Sequence, residues 1–120
     1  HNNFLANFDY EQFNRLFFNL IKNSIESIQE KAEKDNKIDK NIDIEIRERR
    51  DYIIINILDT GIGFKDKKTK DLIKPYFTTK QKGTGLGLSI VDKIISDHNG
   101  SINFLNQNNG AKIQIIIPNK

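Results

Sequence analysis

Cysteine is absent from this 120-residue chain, which excludes disulfides and thiolate metal sites. Long apolar runs are missing as well: none approaches the ~20 residues that a membrane-spanning helix needs. A strong charge excess is also lacking. The 19 Lys and Arg against 16 Asp and Glu leave +3, too little to argue for nucleic acid. The interleaved aromatics of a basic nucleic-acid binder are not present either. No signal-peptide pattern opens the chain. What is there, 37% hydrophobic and 29% charged residues, fits one soluble globular domain with a single core. The abrupt opening at His1 and the ending at Lys120, just past an apolar strand, lead us to expect one domain, residues 1–120, cut from a larger protein.

Periodicity supplies the elements. Asp9 can cap a first helix, with Gln12 as its capping-box partner and Phe8 and Phe13 as a hydrophobic staple. Apolar residues then recur at helical spacing as Phe13, Leu16, Phe17, Leu20, Ile21, Ile25 and Ile28. The stripe fades in the charged stretch from Glu30 to Lys40, which is expected to be a solvated loop. Ile42, Ile44 and Ile46 alternate with charges and predict a half-buried strand. Arg49 to Asp51 turn the chain into the nearly continuous apolar run Tyr52 to Leu58, which reads as a central strand. From Gly61 to Gly85 no period is sustained, so a long functional loop is expected. A second helix spans about Leu86 to His98, with Leu88, Val91, Ile94 and Ile95 inward and Asn99-Gly100 as its stop. Ile102 and Phe104 mark one strand. Ile113, Ile115 and Ile117 mark the last, which Pro118 ends. Two helices and two hairpins predict an α/β (α+β) two-layer sandwich: a mixed sheet with the helices on one face.

The chemistry-bearing residues are glycines and polar residues at element ends. Phosphates need close backbone approach and free N–H donors, which glycine permits. Gly83, Gly85 and Gly87 stand where the second helix opens, and its N-terminal amides would add to the site. Gly61 and Gly63 follow a strand. Neither segment is a P-loop, for neither ends in Gly-Lys-Ser/Thr. Gly61-Ile62-Gly63 is not a dinucleotide fingerprint, because position 66 is Asp. Turn glycines are the bland alternative, but they do not account for two such segments flanking a long loop.

Asp59, at the end of the apolar strand, can accept a hydrogen bond from an adenine amino group; the alternative is an Asx-turn. Asn19 and Asn23, four apart, share one helix face and could offer carbonyl oxygens to Mg²⁺; the alternative is a pair of solvated asparagines. The loop lysines, Lys65, Lys67, Lys68, Lys70, Lys74, Lys80 and Lys82, could form a cationic flap over a triphosphate, but Lys65 to Lys70 read as a solvated basic loop. Lys80 and Lys82 differ because they adjoin the second glycine segment. His98 reads as structural, at a helix end.

Together these residues resemble the catalytic and ATP-binding domain of sensor histidine kinases. That domain belongs to the superfamily shared with DNA gyrase, a mismatch-repair ATPase and a heat-shock chaperone. Asn19-Leu20-Ile21-Lys22-Asn23-Ser24 is similar to the N box, and Asp59-Thr60-Gly61-Ile62-Gly63 to the G1 box. Pro75-Tyr76-Phe77-Thr78-Thr79-Lys80 resembles the F box, and Gly83-Thr84-Gly85-Leu86-Gly87-Leu88-Ser89 the G2 box. The likeness covers about Phe4 to Pro118 and is greatest to the nitrogen-regulation type.

The resemblance implies a Bergerat-like fold with a long ATP lid, and ATP and Mg²⁺ as ligands. Asn23 would hold the metal, and Asp59 would read adenine in a pocket shaped by Gly61, Ile62 and Gly63. Gly83, Thr84, Gly85, Leu86, Gly87 and Leu88 would wrap the phosphates, and Thr78, Thr79, Lys80 and Lys82 would lie near them on the lid. Asn19 and Lys80 would act in catalysis. Hydrolytic relatives carry a Glu where Asn19 stands, and an amide cannot take a proton from water, which favours transfer to another nucleophile.

The implied acceptor is a histidine on a separate dimerisation domain, followed by a response regulator. The fragment would be a cytoplasmic domain, not itself membrane-embedded, of a membrane-anchored parent. Rival readings are a nucleotide-dependent interaction module of the sigma-factor-binding serine kinase type and a non-catalytic ATP sensor. Three departures stand out: Glu26 where some kinases have Lys or Arg, Ala111 where many have Thr, and no histidine in a phosphoacceptor context.

Overall fold

A computed structural model describes residues 10–64, 73, 87–107 and 110–118. Helix α1 (Tyr10–Lys34) leads to strands β1 (Ile42–Glu48) and β2 (Tyr52–Asp59). Helix α2 (Gly87–Asp97) then precedes β3 (Ser101–Gln107) and β4 (Gly110–Pro118). The sheet order is β1-β2-β4-β3. Odd-numbered residues of β2 and β4 and even-numbered residues of β3 face the helices. Ile53, Ile55, Ile57, Ile113, Ile115, Ile117, Ile102 and Phe104 from the sheet pack against Leu16, Leu20, Val91, Ile94 and Ile95 from the helices. This is the expected two-layer sandwich with helices on one face.

Several expectations are corrected. The sheet, expected to be mixed, is antiparallel at all three pairings among the described residues. Strands β2 and β3 do run in the same direction, as a crossover through a helix requires, but β4 folds back between them and separates the parallel pair. Helix α1 continues to Lys34 rather than fading at Glu30. Glu30 to Lys34 are good helix formers, and Lys31 and Lys34 in the last turn complement the helix dipole.

The apolar side of β1 is not half-buried: Ile44 is 47% and Ile46 60% exposed, because the helical layer sits over β2, β4 and β3. Ile25, placed on the inner stripe by its spacing, is exposed, and Ser24 takes the inner position instead. The inward register is therefore 16, 20, 24 and 28, one residue every four.

The end of α2 matches the expected stop, with one refinement. Asn99, at φ 61°, is the residue in the left-handed region, where Asn is tolerated. The Gly100 amide donates to Ile95 O at 2.9 Å. A His98 ring nitrogen, Nδ1, lies 2.8 Å from Ile94 O, so His98 serves the helix end as expected. The expected cap and staple residues Phe8 and Asp9 lie outside the described residues.

The two kinds of isoleucine should separate in denaturant titrations. Ile115→Ala, at the centre of the core, should cost about 2–5 kcal/mol. Ile46→Ala should change stability by no more than about 0.5 kcal/mol. Equal losses would show that β1 is covered after all.

Candidate nucleotide site

The site is built where the C-terminal end of β2, the inner face of α1 and the start of α2 meet. Asp59 closes β2 with its side chain on the helix side of the sheet, and it is 92% buried, with 8% of its surface accessible. One carboxylate oxygen accepts the Gly61 N–H at 2.8 Å, so the expected Asx-turn is present. The other oxygen has no hydrogen bond among the described residues. The two readings of Asp59 are therefore compatible: one oxygen shapes the turn and one remains for a ligand.

Next, the Ile62 N–H donates to Ser27 Oγ at 2.9 Å. At Gly61 a Cβ would overlap the Ser27 side chain and stand 2.8 Å from its carbonyl carbon. Gly61 is thus required by the approach of α1. Gly63 answers to a different need: its φ of 76° lies in the left-handed region. The chain there is fastened to the far hairpin, since Asn106 Oδ1 accepts the Phe64 N–H at 2.7 Å. The Phe64 ring meets Phe104 edge-on at 5.2 Å. Thr60 looks the other way. Its hydroxyl donates to Asp39 O at 2.6 Å and accepts the Asn41 N–H at 3.0 Å, tying the loop before β1 to the turn.

The second anchor is at Asn19. Its Oδ1 lies 4.0 Å from where a Gly87 Cβ would be, so the α1 amide sits beside the N-terminus of α2. Asn23, one turn on, is half-buried. Between Asn19 and Ser27 run about 12 Å of helix at 1.5 Å per residue, with Asn23 and Ser24 in the middle. Leu88 is half-buried against the core. Ala111 is buried directly across from Asp59 in the β2–β4 register. Glu26 lies on the outward side of α1, among Phe18, Lys22 and Ile25. Among the described residues no group of three or more His, Cys, Asp or Glu could hold a metal.

Of the residues expected from the sequence, the structure places Asn19 beside Gly87 and sets Gly61 and Ile62, next to Asp59 and Gly63, against Ser27 of the helix that carries Asn19 and Asn23. Thr78, Thr79, Lys80, Lys82, Gly83, Thr84, Gly85 and Leu86, with most of the basic loop, lie outside the described residues. Sequence reasoning missed Ser24, Ser27, Thr60 and Asn106. Only Ser24 carried a signal, its place in the four-residue register of Leu16, Leu20 and Ile28.

The profile of the family described as histidine kinase-, DNA gyrase B-, and HSP90-like ATPase matches residues 8–120. The chain belongs to this ATPase family. It is 31% identical over 97% of its length to sporulation kinase C of Bacillus subtilis (strain 168), covering 26% of that protein. It is 34% identical over 93% of its length to the nitrogen regulation protein NtrY of Azorhizobium caulinodans, covering 15% of it. Among solved structures, the catalytic domain of histidine kinase ThkA superposes with a TM-score of 0.77 at 32% identity, over 93% of this chain and 70% of that one. The expected likeness to sensor kinases of the nitrogen-regulation type is therefore present. The chain spans about a quarter or less of the curated relatives named here. No helix among the described residues is long and apolar enough to cross a membrane.

The contact at Gly61 gives a direct test of the α1–G1 junction. Gly61→Ala should destabilise the domain by about 1–3 kcal/mol, the cost of overpacking. A second change, Ser27→Gly, should restore part of that loss in thermal unfolding. Full tolerance of Gly61→Ala would show that the two segments do not touch.

Proposed function

We propose that this ATPase-family domain binds Mg-ATP and transfers its γ-phosphoryl group to a histidine on a separate dimerisation domain, for relay to a response regulator. The residues present suit the nucleotide: a buried carboxylate with one oxygen unbonded among the described residues, a tight glycine turn beside it, and an amide at the start of a helix about two turns away. Asp59 would accept from the adenine amino group. Gly61, Ile62 and Gly63 would line the base. Gly87 and Leu88, with the G2 segment before them, would direct helix amides at the phosphates. Asn23 would hold Mg²⁺, whose contribution when bound is to neutralise phosphate charge.

Asn19 carries the step from binding to transfer. It sits beside the N-terminus of α2, where the phosphates would lie, and its amide cannot act as a base toward water. With an amide in place of a base at position 19, the residues of this chain would position the phosphoryl donor and exclude water while the partner's imidazole attacks. The sensor-kinase relatives support this acceptor over a serine, and the short distance from Asn19 to Gly87 supports the placement.

Asp59→Asn tests the base contact. The Asn carbonyl can keep the Gly61 N–H bond, which turns its NH₂ toward the adenine amino group, donor against donor. Calorimetry with Mg²⁺ should show ATP affinity falling about 100-fold or more with little change in melting temperature, as binding is lost while the fold stays. Equal losses of binding and stability would make Asp59 purely structural. Asn19→Glu tests the transfer step. It should raise ATP hydrolysis toward the ~10²-fold that a positioned base supplies, at the expense of transfer to a supplied histidine domain. Phosphorylation of a serine peptide in preference to that domain would overturn the proposed acceptor.

A further inference from the structure

Ser24 has a buried hydroxyl with nothing to bond. Its relative exposure is 2%, and its Oγ is without a hydrogen-bond partner among the described residues. A serine inside a helix ordinarily relieves this by bonding the carbonyl four residues back, and here it does not. A buried hydroxyl left in that state is destabilising, and Ala at the same place would avoid the cost. The position is an inner one, in the register of Leu20 and Ile28. Either small apolar residues or a ligand-facing polar group would be consistent with it, but an idle hydroxyl is not.

One turn toward the C-terminus, Ser27 is in contact with Gly61 and accepts the Ile62 N–H. Just over a turn toward the N-terminus, Asn19 adjoins Gly87. Ser24 therefore stands along α1 between the two anchors of the site, in the inward register of Leu20 and Ile28. Asp59 contributes an acceptor to the site, through the oxygen that Gly61 does not use. It has no donor to set beside that acceptor, and Ser24 has one. The Watson–Crick edge of adenine presents a donor at the N6 amino group and, next to it, an acceptor at ring nitrogen N1. Guanine presents the reverse.

We propose that Ser24 is a base-reading residue: its hydroxyl donates to adenine N1 while Asp59 accepts from N6. This rests on the adenine-nucleotide reading above and adds a specificity determinant to that site. The pair of groups matches adenine and opposes guanine at both positions, so selectivity does not depend on Asp59 alone.

The experiment is calorimetric binding of ATP and of 1-deaza-ATP, in which N1 is a C–H group, to the wild-type domain and to Ser24→Ala, with Mg²⁺ present. Melting temperatures are recorded without nucleotide. The wild type should bind 1-deaza-ATP about tenfold more weakly than ATP, a difference of about 1.4 kcal/mol. Ser24→Ala should bind the two equally, near the wild-type affinity for 1-deaza-ATP, with a melting temperature unchanged or raised. Ser24→Cys, near in size but a weak donor, should behave like Ala. A wild type that binds ATP and 1-deaza-ATP alike overturns the role of Ser24 and leaves the ATP reading intact. So does a Ser24→Ala domain that keeps the discrimination, or one that loses stability with no change in the ATP to 1-deaza-ATP ratio. A wild type that binds neither nucleotide overturns the ATP reading itself, and this assignment with it.

Discussion

Helix α1 approaches the end of β2 so closely that no side chain fits between them at Gly61. The rest of the site follows from that contact. The Ser27 hydroxyl takes the Ile62 N–H and Asp59 takes the Gly61 N–H as the chain leaves the sheet. These two amides of the turn therefore avoid the cost of unpaired burial. Asp59 is the hinge of this economy. One oxygen holds the turn and the other has no hydrogen bond among the described residues, so the carboxylate that serves the fold is also the one proposed to meet the ligand.

The same contact sets the orientation of α1. With Ser27 fixed at the turn, Ser24, Asn23 and Asn19 follow back along the helix, which meets α2 at Gly87. Leu16 and Leu20 remain on the core, where they bury with residues of β2, β4 and α2 and supply the stability that the polar face does not. The helix is thus divided by angle, with apolar residues toward the sheet and amides at the margin. Ser24 is the exception, being polar in a position of the core register.

Much of this was legible beforehand. The apolar period located both helices, and the alternation located the strands. The spacing of Asn19 and Asn23, the strand-end Asp59 and the two glycine segments marked the site. The misreadings have physical causes. Ile25 was assigned inward because it continues an apolar series, but the helix face is chosen by what it packs on, and the register of four put Ser24 there instead. Ile44 and Ile46 alternate as a half-buried strand should, yet a periodic strand can be left uncovered when the helical layer is narrower than the sheet. The mixed sheet was inferred from a crossover whose two strands are indeed parallel; nothing local says that a fourth strand will fold back between them.

The sequence by itself determined the type and order of the elements, the family, and the residues bearing amide, carboxylate and glycine chemistry, because these depend on short-range periodicity and on motifs that survive in linear order. The tertiary structure alone decided why Gly61 is glycine, which oxygen of Asp59 is engaged, that Asn19 adjoins Gly87, and that Ser24 is buried without a partner. Each of these depends on how closely two segments distant in the chain approach. That distance is set by packing of the whole core rather than by any local preference.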